Sequence, residues 1–281
     1  MGMNMKEGAD VYGQSHPVET PALLRDSLEA FNALMEKIPE DKKVNAILAE
    51  SKCPELVTDD FKLVFLRCEV FHVDLAVKRY TKYWDKRVDV FGPEKAFEPL
   101  TLSGALRDDT AALQTGFFRL MDTKAVGGRS MFFLDPKMQD FQYTQDSMVR
   151  AVWYWFHASL EDEDTQKRGV IFIIYSYDST MGHLDRGLIG RLAKSVQGSL
   201  PVRLSAIHFC RPPLVLSTVF PVVKALLGNR LRKRIKVHSG SKHWEDMAKY
   251  ELTEKNVPED VGGQVVLDHL AWLEDRRCKG L

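Results

Sequence analysis

Residues 169–177 read GVIFIIYSY, apolar at nearly every position and rich in β-branched and aromatic side chains. A strand lying on a single core alternates apolar and polar residues, so a run without alternation has to be covered on both faces. Four more stretches have β character: GFFRLMD (116–122), RSMFFLDP (129–136), VRLSAIHFC (202–210) and RIKVHS (234–239). Helical patterns near 143–160, 184–197 and 214–227 separate the last four of these five runs. Strands alternating with helices predict an α/β fold on a mostly parallel sheet, with 169–177 at its centre.

The first part of the chain has a different rhythm. ALLRDSLEAFNALMEKI, KKVNAILAE, TDDFKLVFLRCEVF and VDLAVKRYTKYWDKRVDVF all carry helical periodicity, with Leu63, Leu66, Leu75 and Tyr83 on apolar stripes and Thr58 or Asp59 as an N-cap. Residues 20–92 are therefore expected to form a small helical unit. Gly92, Pro93, Pro99 and Gly104 mark a junction holding one short helix, and a second unit spans 100–277. In a chain of 281 residues, 44% hydrophobic, a sizeable core is expected. The longest apolar runs fall far short of the ~18 residues that a membrane-spanning helix needs. MGMNMKEGAD has no secretory apolar core, and Lys6 stands where a myristoylation motif wants Ser or Thr, so a cytosolic address is expected. Cys53, Cys68, Cys210 and Cys278 show no paired spacing and read as reduced thiols.

Little in the sequence suggests catalysis. There is no GxSxG, HExxH, Walker or GxGxxG signature, so neither an enzyme nor a cofactor or metal site is expected. GHLDRGLIG (182–190) reads as a helix with small residues, SLEDED (159–164) as a solvated helix-to-strand loop, and His208 as a core histidine within a strand. Trp153, Tyr154, Trp155 and Phe156 occupy one helical turn and point aromatic bulk in every direction, either as core packing or as the wall of a cavity.

Charge is segregated even though its total is zero. Between Arg186 and Trp244 there are twelve Lys and Arg and no Asp or Glu, with the densest cluster in RLRKRIK (230–236). Before it lies a very apolar stretch from Arg211, opened by Pro212 and Pro213 and interrupted at Pro221. That combination is either a buried helix with a solvated basic end or a bent segment that dips into an anionic bilayer.

Taken in order, these segments resemble the CRAL-TRIO lipid-binding family, and within it the tocopherol-transfer and retinaldehyde-binding group. DDFKLVFLRCEVFHVDLAVKRYTKYW resembles the segment around the family's FLRAR-type motif. LDPK (134–137), LPVRLSAIHFCRPPLVLSTVFPVVKALLGNRLRKRIKVHSG (200–240) and VPEDVGG (257–263) resemble its later strand, gate and closing-turn segments. Three departures stand out: Glu69 replaces the motif's second arginine, YSYD (175–178) follows the central strand, and Ala225 replaces a gate proline.

The resemblance implies a five-stranded, mostly parallel sheet with flanking helices, and a pocket covered by a gate helix over 213–227. It implies a pocket lined by Phe132, Leu134, Val149, Val152, Trp153, Phe156, Val170, Phe172, Ile174, Leu192, Val196 and Ile207, closed by Val219, Val222 and Val223. It further implies phosphoinositide recognition by Arg230 and Arg234 with Arg203 and Lys224 in support, while Arg232, Lys233 and Lys236 meet an anionic leaflet. The expected function is that of a monomeric lipid-transfer protein, transiently membrane-associated, carrying a neutral isoprenoid-like ligand in preference to a phospholipid. A lipid-sensing regulatory adaptor with the same fold, or a nucleic-acid binder using 186–244, are the alternatives.

Overall fold

The computed structural model describes residues 9–213, 232–239 and 243–281. Four helices come first: α1 (Pro21–Lys37), α2 (Val44–Lys52), α3 (Asp59–Cys68) and α4 (Val73–Lys95), the last interrupted at Gly92. The local chemistry fixes where they begin. Thr20 accepts from the Leu23 amide at 3.1 Å with Pro21 as the first helical residue, and Thr58 accepts from the Phe61 amide at 3.2 Å. Each cap satisfies an amide that has no partner within its helix. Thr58, not Asp59, is the cap of α3; Asp59 and Asp60 lie in its first turn, where the helix dipole favours negative charge.

After α5 (Thr110–Gln114) the chain forms β1 (Phe118–Lys124), β2 (Ser130–Leu134), α6 (Gln145–Ser159), α7 (Glu163–Arg168), β3 (Val170–Tyr175), α8 (Arg186–Val196), β4 (Leu204–Cys210) and β5 (Ile235–His238). α9 (His243–Ala248) and α10 (His269–Cys278) follow. The five strands lie in chain order, β1 antiparallel to β2 and the rest parallel, with β3 in the middle as its composition requires. The acidic stretch 159–164 is not a simple solvated loop: Asp162 caps α7 through the Thr165 amide at 2.9 Å and pairs with Lys124 at 2.5 Å. Charge there is spent on starting a helix.

Alternation along β3 sorts the sheet into two faces. Val170 and Phe172 pack in the core of α6 and α8, with Ile174 on the same side by alternation, whereas Ile171, Ile173 and Tyr175 pack with Met247, Leu252, Val257 and Val261 of the C-terminal segment. The VPEDVGG turn secures that second cover. Gly262 adopts φ +98°, and a Cβ on Gly263 would lie 1.9 Å from the Val257 carbonyl oxygen, so the two glycines serve different needs, one conformational and one steric. On the helix side, the core runs without interruption from Phe31 in the helical unit through Tyr83 and Trp84 to Trp153 and Leu273.

Two buried histidines join β4 to β5 on the back face. His208 Nδ1 lies 2.9 Å from His238 Nε2, and His208 Nε2 lies 3.3 Å from the Tyr12 hydroxyl, which itself donates to the Tyr250 carbonyl at 3.1 Å. With the Tyr12 proton used on that carbonyl, both rings carry their hydrogen on Nε2, which leaves His238 Nδ1 as a buried acceptor with no partner among the described residues. Burial, then the neighbouring His238 and Lys236, brings His208 down to about 3. Burial likewise brings His238 down to about 4, helped by His243, Lys236 and Lys249 against an opposing pull from Asp246. Both are depressed below the unfolded value near 6.5, so their contribution is complete above it and is lost as pH falls toward 4. Each histidine is expected to cost about 1.4 kcal/mol per pH unit below about pH 6. Urea midpoints should therefore fall between pH 6 and pH 5, where few carboxylates titrate; a flat profile would count against the buried pair.

Candidate functional site

The helix-facing side of the sheet is not packed evenly. Part of it is closed: Phe132 and Val170 are fully buried, and Phe118, Phe132, Phe156 and Phe172 form an aromatic cluster with centroids 5.0–6.1 Å apart. By contrast, Leu134, Phe172 and Ile174 are only half-buried, as are Leu192 and Val196 of α8. Strand register sets Leu134 beside Ile174, and Phe132 beside Phe172 beside Ile207, so these side chains share one apolar face. Val149, Val152 and Phe156 of α6 are buried in the same core. Val219, Val222, Val223, Lys224 and Arg230 lie outside the described residues, as does nearly all of the expected gate, from Leu214 onward.

The aromatic turn of α6 resolves into four separate contacts. Trp153 stacks on Tyr83 at 5.5 Å and meets Phe91 edge-on, with its indole N–H donating to the Ser195 hydroxyl at 3.3 Å. Tyr154 turns to Trp272 and accepts from Arg276 at 2.9 Å. Trp155 meets Phe118 and His269, and Phe156 meets the sheet. Trp153 thus faces the α4 helix, on a different side of α6 from Phe156.

The basic residues gather at the N-terminal ends of the strands. Gly169, at φ +88°, has no room for a Cβ, which would lie 2.1 Å from the Arg203 carbonyl oxygen; that approach lets Arg203 accept from the Val170 amide at 2.8 Å. The Arg203 guanidinium donates to the carbonyls of Lys167 (2.8 Å) and Ser15 (3.4 Å) and has no carboxylate partner among the described residues. Burial, followed by the nearby Arg129 and Arg234, lowers its pKa. Beside it Arg67, the arginine of FLRCE, forms a two-pronged pair with Glu19 (2.9 and 2.8 Å) and also donates to Gln166. Glu69, which replaces the motif's second arginine, is locked to Arg79 at 2.5 Å, and Arg79 also donates to the Leu200 carbonyl. Arg232 and Lys233 are exposed in the turn before β5, and Arg234 is half-buried. Lys236 lies on the back face with its ammonium 5.2 Å from the Tyr250 ring. Among the described residues no group of three or more His, Cys, Asp or Glu has a metal-binding arrangement. No described helix is long and apolar enough to cross a membrane.

The profile of the CRAL/TRIO domain matches residues 118–263, which covers β1 through the glycine turn. The chain is a member of the CRAL/TRIO family. Clavesin-2 of human and of rat are both 27% identical to it over 193 residues, 66% of this chain and 57% of theirs. Clavesin-1 of Xenopus laevis is 28% identical over 197 residues, 66% of this chain and 56% of its own. The chain thus spans somewhat over half the length of these curated relatives. The crystal structure of Sfh5 superposes with a TM-score of 0.55 over 90% of this chain and 98% of Sfh5, at 14% identity, and shares the fold. The family is a lipid-binding one with an α/β fold, and the partly buried apolar face lies within the matched region.

The sequence reading singled out Arg203 but not Arg67, Lys167, His16 or Glu19, which surround it. Arg67 stood inside a quoted motif; the others lie in segments with no periodicity to mark them. The uneven packing gives an energetic expectation. Phe132→Ala, in the closed half, should cost about 3–5 kcal/mol, whereas Ile174→Ala, already partly exposed, should cost about 1–2 kcal/mol. Urea unfolding of the two variants tests the difference, and equal losses would mean that the face is uniformly packed.

Proposed function

We propose that the chain is a carrier that shelters a neutral hydrophobic ligand against the open half of the sheet face and exchanges it at anionic, phosphoinositide-containing membranes. The observation that supports this most directly is that Leu134, Phe172 and Ile174 of the sheet, like Leu192 and Val196 of α8, are only partly buried in a domain of a lipid-binding family. Apolar surface left open inside a fold invites an apolar guest, at about 0.8 kcal/mol for each methylene removed from water. A ligand with about ten such groups would lose roughly 8 kcal/mol on escaping into water, so release is favoured at a bilayer, where hydration never occurs. The lining is aliphatic and aromatic, which suits an isoprenoid-like molecule better than a phospholipid headgroup.

Docking falls to the basic region 186–244. Each Lys or Arg near an anionic leaflet contributes about 1 kcal/mol, reduced by salt, so a handful of them suffices for reversible attachment. Organic extraction of the purified protein followed by lipid mass spectrometry is the first test: a single co-purified neutral lipid is expected, and phosphatidylinositol alone would overturn the ligand class. Docking is tested separately. Lys233→Ala alters an exposed side chain, and should weaken binding to phosphoinositide vesicles about fivefold at low salt while leaving the urea midpoint unchanged. Undiminished vesicle binding would remove the basic turn from the mechanism.

A further inference from the structure

Residues 10–19 run across the molecule as a strap whose charged side chains are all engaged with the body. Asp10 pairs with Arg129, which is 1% exposed, and lies 2.6 Å from His16 Nε2; Tyr12 covers the Arg129 guanidinium at 4.9 Å. Gln14 accepts from the Ser205 hydroxyl at 2.9 Å. The strap then enters a narrow cleft, already filled by its own side chains, lined by His16, Glu19, Arg67, Phe71, Lys167 and Arg203. Inside it Glu19 is 10% exposed, bonded twice to Arg67 and 3.5 Å from the Lys167 ammonium. Arg203, on the same cleft, donates to carbonyl oxygens, lies 3.5 Å from His16 Nδ1, and has no carboxylate partner among the described residues.

Three cationic side chains meet here the deeply held Glu19 and, at the rim, the exposed Glu163, which pairs with Lys167; paired guanidinium donors suit a phosphate group as they suit a carboxylate, and phosphate carries more charge. We propose that Glu19 is an internal competitor: it occupies the cleft in place of a phosphorylated headgroup, and such a group binds Arg67, Lys167 and Arg203 only by displacing the strap. This rests on the reading that the chain docks on acidic headgroups, and adds a control to it. Arg67 keeps Gln166 at 2.5 Å and Glu163 at 3.5 Å when Glu19 leaves, so release does not strand a buried charge. Binding through this cleft is therefore weaker than its cations alone would give, and it is coupled to freeing residues 10–19.

The full chain and Glu19→Gln, which keeps the shape and removes the charge, would be titrated with inositol hexakisphosphate and with phosphatidylcholine vesicles carrying a phosphatidylinositol phosphate. The variant should bind about tenfold more tightly than wild type, since one charge-assisted competitor is gone. A gain with vesicles and soluble probe alike assigns the cleft to the phosphate itself, and a gain with vesicles only assigns it to the lipid headgroup in its bilayer. In the unaltered chain, saturation with the bound probe should raise hydrogen exchange at residues 10–19, a readout that needs no variant to fold. Wild-type binding with no gain in Glu19→Gln, or with strap protection unchanged, overturns the competitor and leaves anionic docking standing. No binding by either chain to either probe overturns both.

Discussion

A strand that is apolar on both faces dictates most of this architecture. β3 cannot lie at an edge or under a single layer without exposing Val170 to Tyr175 to water, so the chain has to supply a cover on each side. It does so with unlike materials. Helices α6 and α8 cover one face, and the irregular C-terminal segment closed by Gly262 and Gly263 covers the other. The helix layer fits closely over part of the face and loosely over the rest, and the loose part carries the interest for function.

Hydrophobic pattern alone located all five strands to within two residues or so, because each buries side chains whose spacing follows the sheet. α6 was legible for the same reason, although the destinations of its aromatics were not. Trp153, Tyr154 and Trp155 sit on three different neighbours, and only three-dimensional placement of α4 and α10 assigns them. The acidic run 159–164 misled because a capping aspartate and a solvated one look alike until the next turn is seen to coil.

The strap and its cleft were invisible for a deeper reason. Asp10, Tyr12 and His16 form no periodic pattern, and their chief partner, Arg129, is 119 residues away. Polar contacts at such separation leave no mark on local sequence, since the energy comes from pairing and not from a face of repeated residues. The histidine pair is similar: His208 and His238 meet only because β4 and β5 align Ile207 with Ile235 and carry the next residues into register. Arg203 was singled out through the family resemblance, which marks a cation but not how it is held. Glu69 was noticed as a departure; its pairing with Arg79 shows that the swap of sign is balanced locally.

Four consecutive aromatic side chains on α6 bind the helical unit, the last helix, the first strand and the middle of the sheet to a single rod. A rod gripped from four directions cannot roll or slide without breaking several stacked contacts at once. Whatever breathing admits a guest molecule has to take place away from this axle, so the shell behaves like a vessel with one fixed wall.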